Sequence, residues 1–246
     1  MNLQGLEALV KIGLKKLIRQ PATLFLSLLF PAILTLTMGF VFAEPSSGMT
    51  INFLVPGLIS YACIFTIMTI AQSFSTERQE GLLRRMNTTP MTSIEFIGSH
   101  IITNMLIAIM QVVVVFVMAV LIGFRPQSSI SGIFFAFLII ALFSLSSVGL
   151  GLITATVSKT PEVATGLSFI FILPQMFFGS FLPLTDTTRI IASFIPSYYV
   201  TDALISIFRG DILTSKNILI DLAVISIVSV IIIIIGIQLF KKYGYK

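Results

Sequence analysis

Residues 96–124 read FIGSHIITNMLIAIMQVVVVFVMAVLIGF, 29 positions without one Asp, Glu, Lys or Arg. A helix rises about 1.5 Å per residue, and about 20 apolar residues cross the hydrocarbon core of a bilayer. The run therefore holds one membrane crossing and is too short for two with a turn. Its apolar residues come in blocks, without the period-2 alternation of a barrel strand. Lipid offers no partner to a free backbone N–H or C=O, so such a segment is predicted to be helical.

The same pattern recurs on both sides. Uncharged runs occupy 20–43 and 45–76 upstream, and 126–158, 163–185 and 222–240 downstream. Each holds one span, and the six runs together take 160 of the 246 residues. The spans are expected at about 22–43, 53–75, 96–123, 131–157, 162–182 and 218–240. One more uncharged run, 190–201, has only 12 residues and contains Pro196. It is too short to cross, so the external stretch 184–217 is predicted to hold a re-entrant or interfacial segment. The fold class expected is an all-α membrane protein of six transmembrane helices, forming a single transmembrane domain over 1–246.

Composition agrees. Charged residues are 10% of the chain, against about 25% in a typical soluble domain. The apolar set reaches 56% and the mean hydropathy is +1.05. So few charges cannot solvate a globular surface, which excludes a soluble enzyme, a nucleic-acid binder and a disordered chain. The net charge of +5 is read as orientation rather than as an anionic partner. One Cys excludes an internal disulfide and a Cys-based metal cluster, and Cys63, inside an apolar run, reads as a small buried hydrophobe.

With six spans both termini share a side. That side carries eleven Lys and Arg: Lys11, Lys15, Lys16, Arg19, Arg78, Arg84, Arg85, Lys159, Lys241, Lys242 and Lys246. The other side carries four: Arg125, Arg189, Arg209 and Lys216. The positive-inside rule places both termini in the cytoplasm. The first span is longer than a signal-peptide core, and Val41-Phe42-Ala43 is no small-x-small site, so it is expected to stay in place.

Residues 3–19 are predicted to form an amphipathic interfacial helix. Glu7, Lys11, Lys15 and Arg19 recur every four positions, opposite Leu6, Leu9, Val10, Leu14, Leu17 and Ile18. Pro21 ends it. Thr160-Pro161-Glu162 reads as an N-cap with Pro in the first turn, opening the fifth span. Ser147, Gly149 and Gly151 lie in an apolar helix with no strand before them, so close helix packing is the plain reading, not a nucleotide loop.

Several chemistries are missing. The chain has no Gly-Lys pair, hence no standard phosphate-cradling loop. Ser168 has no complementary base, and the one His, His100, opens a different span, which argues against an intramembrane serine protease. Proton- and ion-coupled carriers place ionisable groups within their spans. None of the six runs has a charge near its middle, and Gln72, Gln111 and Gln175 are polar without titrating. Energy for any transport is therefore expected from another subunit.

Residues 77–98 read ERQEGLLRRMNTTPMTSIEFIG. Glu77, Arg78, Glu80, Arg84 and Arg85 crowd one amphipathic stretch whose apolar face is Leu82, Leu83 and Met86. A short charged helix is expected there, stopped by Thr88-Thr89-Pro90, with a new helix from near Ser93. The stretch resembles the second intracellular segment of type-2 ATP-binding-cassette (ABC) permeases, approximately E-R-x-x-G-T-L-x-x-L-x-x-T-P ending near a Gly. Glu77, Arg78, Gly81, Leu83, Met86 (for Leu), Thr89, Pro90 and Gly98 match. Leu82 replaces the usual Thr, and Ser99 the usual Lys. Residues 173–210 resemble the same family's return segment through Pro174, Pro183, Leu184, Pro196, Tyr199, Asp202, Ala203 and Leu204, with the usual Arg displaced to Arg209. The likeness covers nearly the whole chain.

The resemblance implies a half-transporter of the drug- and antibiotic-exporter kind in the plasma membrane. It pairs with a second permease subunit, identical or related, and docks a cytoplasmic ABC ATPase. The chain itself then needs no cofactor, ATP and Mg belonging to the ATPase, and binds no nucleic acid. The coupling loop, 76–95, implies ATPase-coupling roles for Glu77, Arg78, Glu80, Gly81, Arg84, Arg85, Thr89 and Pro90. The family's substrate path, lined by the second and fifth spans, maps onto Ser60, Phe65, Thr69, Ser73, Ser168, Phe169, Phe171, Gln175 and Phe178. That uncharged lining fits a lipophilic or amphipathic substrate. The alternatives are a non-transport scaffold or assembly factor and, less favoured by the charge-free runs, a secondary carrier.

Overall fold

The computed structural model describes residues 3–19, 21–42, 51–81, 93–181 and 185–243. All regular structure among them is helical. In chain order the helices are α1 (Leu3–Arg19), α2 (Pro21–Phe42), α3 (Ile51–Gln79), α4 (Ser93–Leu121), α5 (Ile130–Val157) and α6 (Pro161–Met176). A π-helical turn, Phe177–Phe181, prolongs α6, and α7 (Asp186–Ala192), α8 (Pro196–Arg209) and α9 (Lys216–Tyr243) follow. Five stretches are long and apolar enough to cross a membrane: α3, most of α4, α5, α6 with part of its π turn, and α9. The apolar stretch described in α2, Ser27–Val41, is shorter.

Local sequence explains several boundaries. The Thr160 hydroxyl accepts from the Val163 N–H at 3.4 Å, and Pro161 opens α6 where a missing N–H costs nothing. Pro174 removes one helical donor near the end of α6, and the wider π turn follows within a few residues. Gly210 ends α8 at φ 92°, a left-handed cap that suits glycine. The 12-residue run 190–201 is divided between two helices, because Pro196 starts α8 rather than interrupting it.

Helix α3 is the axis of the bundle: 78% of its apolar window is buried, against 28% for α6 and for α9. It touches α2, α4, α5, α6 and α8, while α9 packs mainly along α5 and α8. Glycines set the closest approaches. A methyl group on Gly236 of α9 would stand 2.7 Å from the Gly149 carbonyl oxygen of α5, and one on Gly149 would meet the Ile232 backbone at 2.9 Å. One on Gly151 would meet Ile70 of α3 at 2.8 Å. The small residues of α5 therefore serve helix packing.

Three expectations change. Helix α3 runs to Gln79 and α4 starts at Ser93, so Glu77 and Arg78 stand in the last turn of α3 rather than in a separate charged helix. The turn holds because Phe74 and Glu77 are buried against neighbouring helices. The helix stops where Gly81 takes φ 71°. On α1, Glu7, Lys11, Lys15 and Arg19 share the exposed face as expected, but Ile18, expected on the apolar face, is 70% exposed. Finally, α9 begins at Lys216, two positions ahead of the expected span at 218–240, and Asp221, within that span but outside its uncharged run, is buried at 6% exposure.

Candidate functional site

The ionised groups converge where α1 lies and α3 and α9 end. Glu77, 7% exposed at its side chain, sits between Lys16 of α1 and His100 of α4. The Lys16 Nζ donates to Glu77 Oε1 at 3.2 Å, and His100 Nε2 lies 3.2 Å from Oε2. The next residue, Arg78, turns the other way. Its guanidinium donates to the Ser158 carbonyl at 2.8 Å, at the C-cap of α5. A cation there meets the negative end of the α5 dipole and one of its unpaired carbonyls. Two adjacent residues thus tie the end of α3 to α1, α4 and α5.

An aromatic box holds this junction. The His100 ring lies 4.5 Å, centroid to centroid, from both Phe74 and Phe96, and Phe74 meets Phe240 of α9 edge-on at 4.7 Å. These rings pack with Ile70, Ile97, Val148, Leu152, Ala155 and Ile233 into an apolar cluster separate from the larger core. On the open face of α1, Lys11 pairs with Glu7 at 2.7 Å, and its donated hydrogen bond keeps the Glu7 carboxyl below the usual range. Among the described residues no group of three or more His, Cys, Asp or Glu is placed to hold a metal ion.

The expected coupling residues fall into three sets. Glu77 and Arg78 form the junction. Glu80 is exposed just beyond α3, followed by Gly81, around which a methyl group would meet nothing within 4 Å. Arg84, Arg85, Thr89 and Pro90 lie outside the described residues. His100 and Lys16 belong to the site and were missed as such. The sequence offered only a partial signal: His100 is the one His, near the start of a span, and Lys16 lies on the amphipathic helix predicted for residues 3–19.

The nine candidate path residues do not share one face of this chain. Ser60, Ser168 and Gln175 point into the bundle, and the Ser168 hydroxyl donates back to the Ala164 carbonyl at 2.7 Å. Phe169 faces outward. Phe65, Thr69, Ser73, Phe171 and Phe178 are half-buried, and Phe65 stacks on Phe30 of α2 at 5.0 Å. Between the two helices, Gln72 Nε2 donates to Thr165 Oγ1 at 2.6 Å. At the far end of α6, Ser197 of α8 donates to the Gln175 carbonyl at 2.9 Å. On α8, burial pushes the Asp202 carboxyl above its usual range.

Long apolar helices in a bundle, with buried ionic contacts gathered at one end, define a multi-pass helical membrane protein. The chain belongs to the ABC-2 type transporter family, whose model matches residues 4–208. It is also 22% identical over 160 residues to the daunorubicin resistance ABC transporter permease protein DrrB1 of Streptomyces coeruleorubidus. That alignment takes in 65% of this chain and 56% of the relative's own length.

Proposed function

We propose that this chain is the membrane-embedded half of an ATP-driven exporter in the plasma membrane. In this reading α2 is the sixth span, both termini are cytoplasmic, and α7 and α8 form a re-entrant segment on the outer side. A second permease subunit completes the path, and a separate ABC ATPase supplies ATP and Mg. Permeases of this family generally lack an ATPase of their own. The substrate is lipophilic or amphipathic, a proposal supported by the uncharged path candidates and by the resistance function named for the relative.

The observation that carries this reading is the Glu77–Arg78 junction at the foot of the best-buried helix. A push on the segment that follows α3 would pass at once into α1, α4 and α5. Reconstituted with its ATPase in sealed vesicles, the wild type is expected to export a hydrophobic fluorescent dye when ATP is added. Gly81→Pro and Glu80→Ala are expected to leave the folded protein intact and to lower transport per ATP hydrolysed. Normal export by both variants would remove the segment from the mechanism. ATPase stimulation by a polar glycan and by no hydrophobic compound would overturn the substrate class.

One observation favours a second reading, a carrier driven by ions. Asp221 is buried in α9, and its Oδ2 has no hydrogen-bond partner among the described residues. Intramembrane carboxylates mark ion and proton paths. If Asp221→Asn abolishes transport that persists without the ATPase, the carrier reading replaces the exporter.

A further inference from the structure

Pro31 interrupts α2 at a position where the bundle supplies its own repair. A helical residue donates its N–H to the carbonyl four positions back. Proline has no N–H, so α2 cannot make that bond to Ser27. Gln111, from α4, reaches this carbonyl instead: its Nε2 donates to the Ser27 oxygen at 3.1 Å. The other end of the same amide, Oε1, accepts from the Thr66 hydroxyl of α3 at 3.2 Å. Gln111 is fully buried. One side chain therefore joins the backbone of α2 to α3 and α4 at the level of the proline.

The placement matters because α2 is otherwise lightly held. Among the described residues it packs mainly on α1, α3 and α4, while Phe25, Ile33, Phe40 and Val41 are all more than half exposed. Its lower half follows directly on α1, which Lys16 ties to Glu77. A displacement at the junction therefore reaches α2 below Pro31. Sharp bends in membrane helices fall at prolines and are tolerated where neighbours satisfy the freed groups.

We propose that Gln111 is a positioning residue that pins the Pro31 break of α2 to the α3–α4 pair and so sets the pivot about which α2 moves during transport. The proposal rests on the transport reading above, but its first test does not. Thr66 keeps a second acceptor, the Ala62 carbonyl at 3.4 Å, so removing Gln111 chiefly removes the donor to Ser27. Replacing Pro31 by Ala returns the helix's own donor to that carbonyl.

The experiment is a double-mutant cycle of Gln111→Leu and Pro31→Ala in the full chain. It is read by unfolding equilibrium in mixed micelles and by export per ATP hydrolysed after reconstitution with the ATPase. Gln111→Leu is expected to shift the unfolding equilibrium about three- to tenfold in the wild-type background and less than twofold beside Pro31→Ala. Gln111→Leu is expected to lower the export-to-ATP ratio, and adding Pro31→Ala, which removes the break itself, is expected to recover stability without recovering that ratio. Equal shifts in both backgrounds overturn the pin. Unequal shifts with an unchanged export-to-ATP ratio overturn the pivot role and leave only a packing bond. If Gln111→Leu does not fold, Gln111→Met takes its place. Folding of either variant only beside Pro31→Ala supports the pin, and failure in both backgrounds overturns it. A wild type that exports nothing with any ATPase sinks the transport reading, while the unfolding cycle still decides whether Gln111 serves the break.

Discussion

The two sides of α3 are held by different means. Towards α5 and α9, helices meet chiefly through missing side chains, where Gly149, Gly151 and Gly236 leave no room for a methyl group, with Arg78 at the end of α3 adding one bond to the Ser158 carbonyl. Towards α1, α2, α4 and α6, they meet through separate polar bonds, Lys16–Glu77, Gln111–Ser27 and Gln72–Thr165. Close backbone contact over many atoms has no halfway state, whereas a single side-chain bond can break and re-form. The difference divides the chain into a rigid pair, α5 with α9, and a set of helices able to shift against α3. Each prediction below breaks one kind of contact.

The largest effect belongs to the glycine side. Gly236→Val would place side-chain atoms against the Gly149 carbonyl oxygen, a backbone atom that cannot turn away. The expected cost is about 3 kcal/mol or more, with loss of folded protein. It is measured by yield and by unfolding in mixed micelles. A Gly236→Val variant as stable as wild type would mean that α5 and α9 slide freely, and the contrast would fail.

Next comes the junction. Glu77→Leu leaves Lys16 and His100 without their shared carboxylate, at an expected cost of about 2 kcal/mol. Lys16, at 43% side-chain exposure, can turn to water, which keeps the cost below that of a fully buried charge. Release of α1 is the sharper measure: protease cleavage near Arg19 should quicken in the variant. Unchanged cleavage would show that α1 is held by apolar packing on α4 alone.

How much of this was legible in the sequence follows from the range of the forces involved. Long uncharged runs are local, and lipid enforces them residue by residue, so helical spans could be read directly. The Thr160 cap was legible for the same reason, since the cap and the Val163 N–H that donates to it lie three residues apart. The junction was not, because Lys16, Glu77 and His100 are joined only by packing. Asp221 fell inside the expected span at 218–240, but counting only uncharged runs left it out of the charges considered within the bundle. The family's path residues follow sequence position, while burial depends on which face of each helix meets a neighbour, so Ser60 and Phe169 point opposite ways.

At the C-terminal end of α6, Ser197→Ala removes the donor to the Gln175 carbonyl beside the π turn. The expected cost is about 1 kcal/mol, read by unfolding in mixed micelles. Gly179 allows this contact, since a methyl group there would collide with Ser197. Ser197→Ala and Gly179→Ala should therefore not add, because the second change already moves α8 away. Additive losses would separate the hydrogen bond from the close approach and place the turn among the rigid contacts.

The smallest stability effect is expected for Gln72→Leu, about 0.6 kcal/mol. Gln72 and Thr165 are both half-buried, and Thr165 keeps its bond to the Pro161 carbonyl at 2.8 Å when Gln72 is gone. Nothing is left buried and unpaired, so the folded state loses little. The consequence for transport should be larger than for stability. If α6 moves against α3 in each cycle, this bond contributes to one state and not the other, and its loss changes the balance between states. The measurement is export per ATP at fixed protein stability. A change of about threefold corresponds to the full strength of the bond acting on one state. No change, with the stability loss as expected, would mean that α6 keeps the same contact throughout, and the moving set would shrink to α1, α2 and α4.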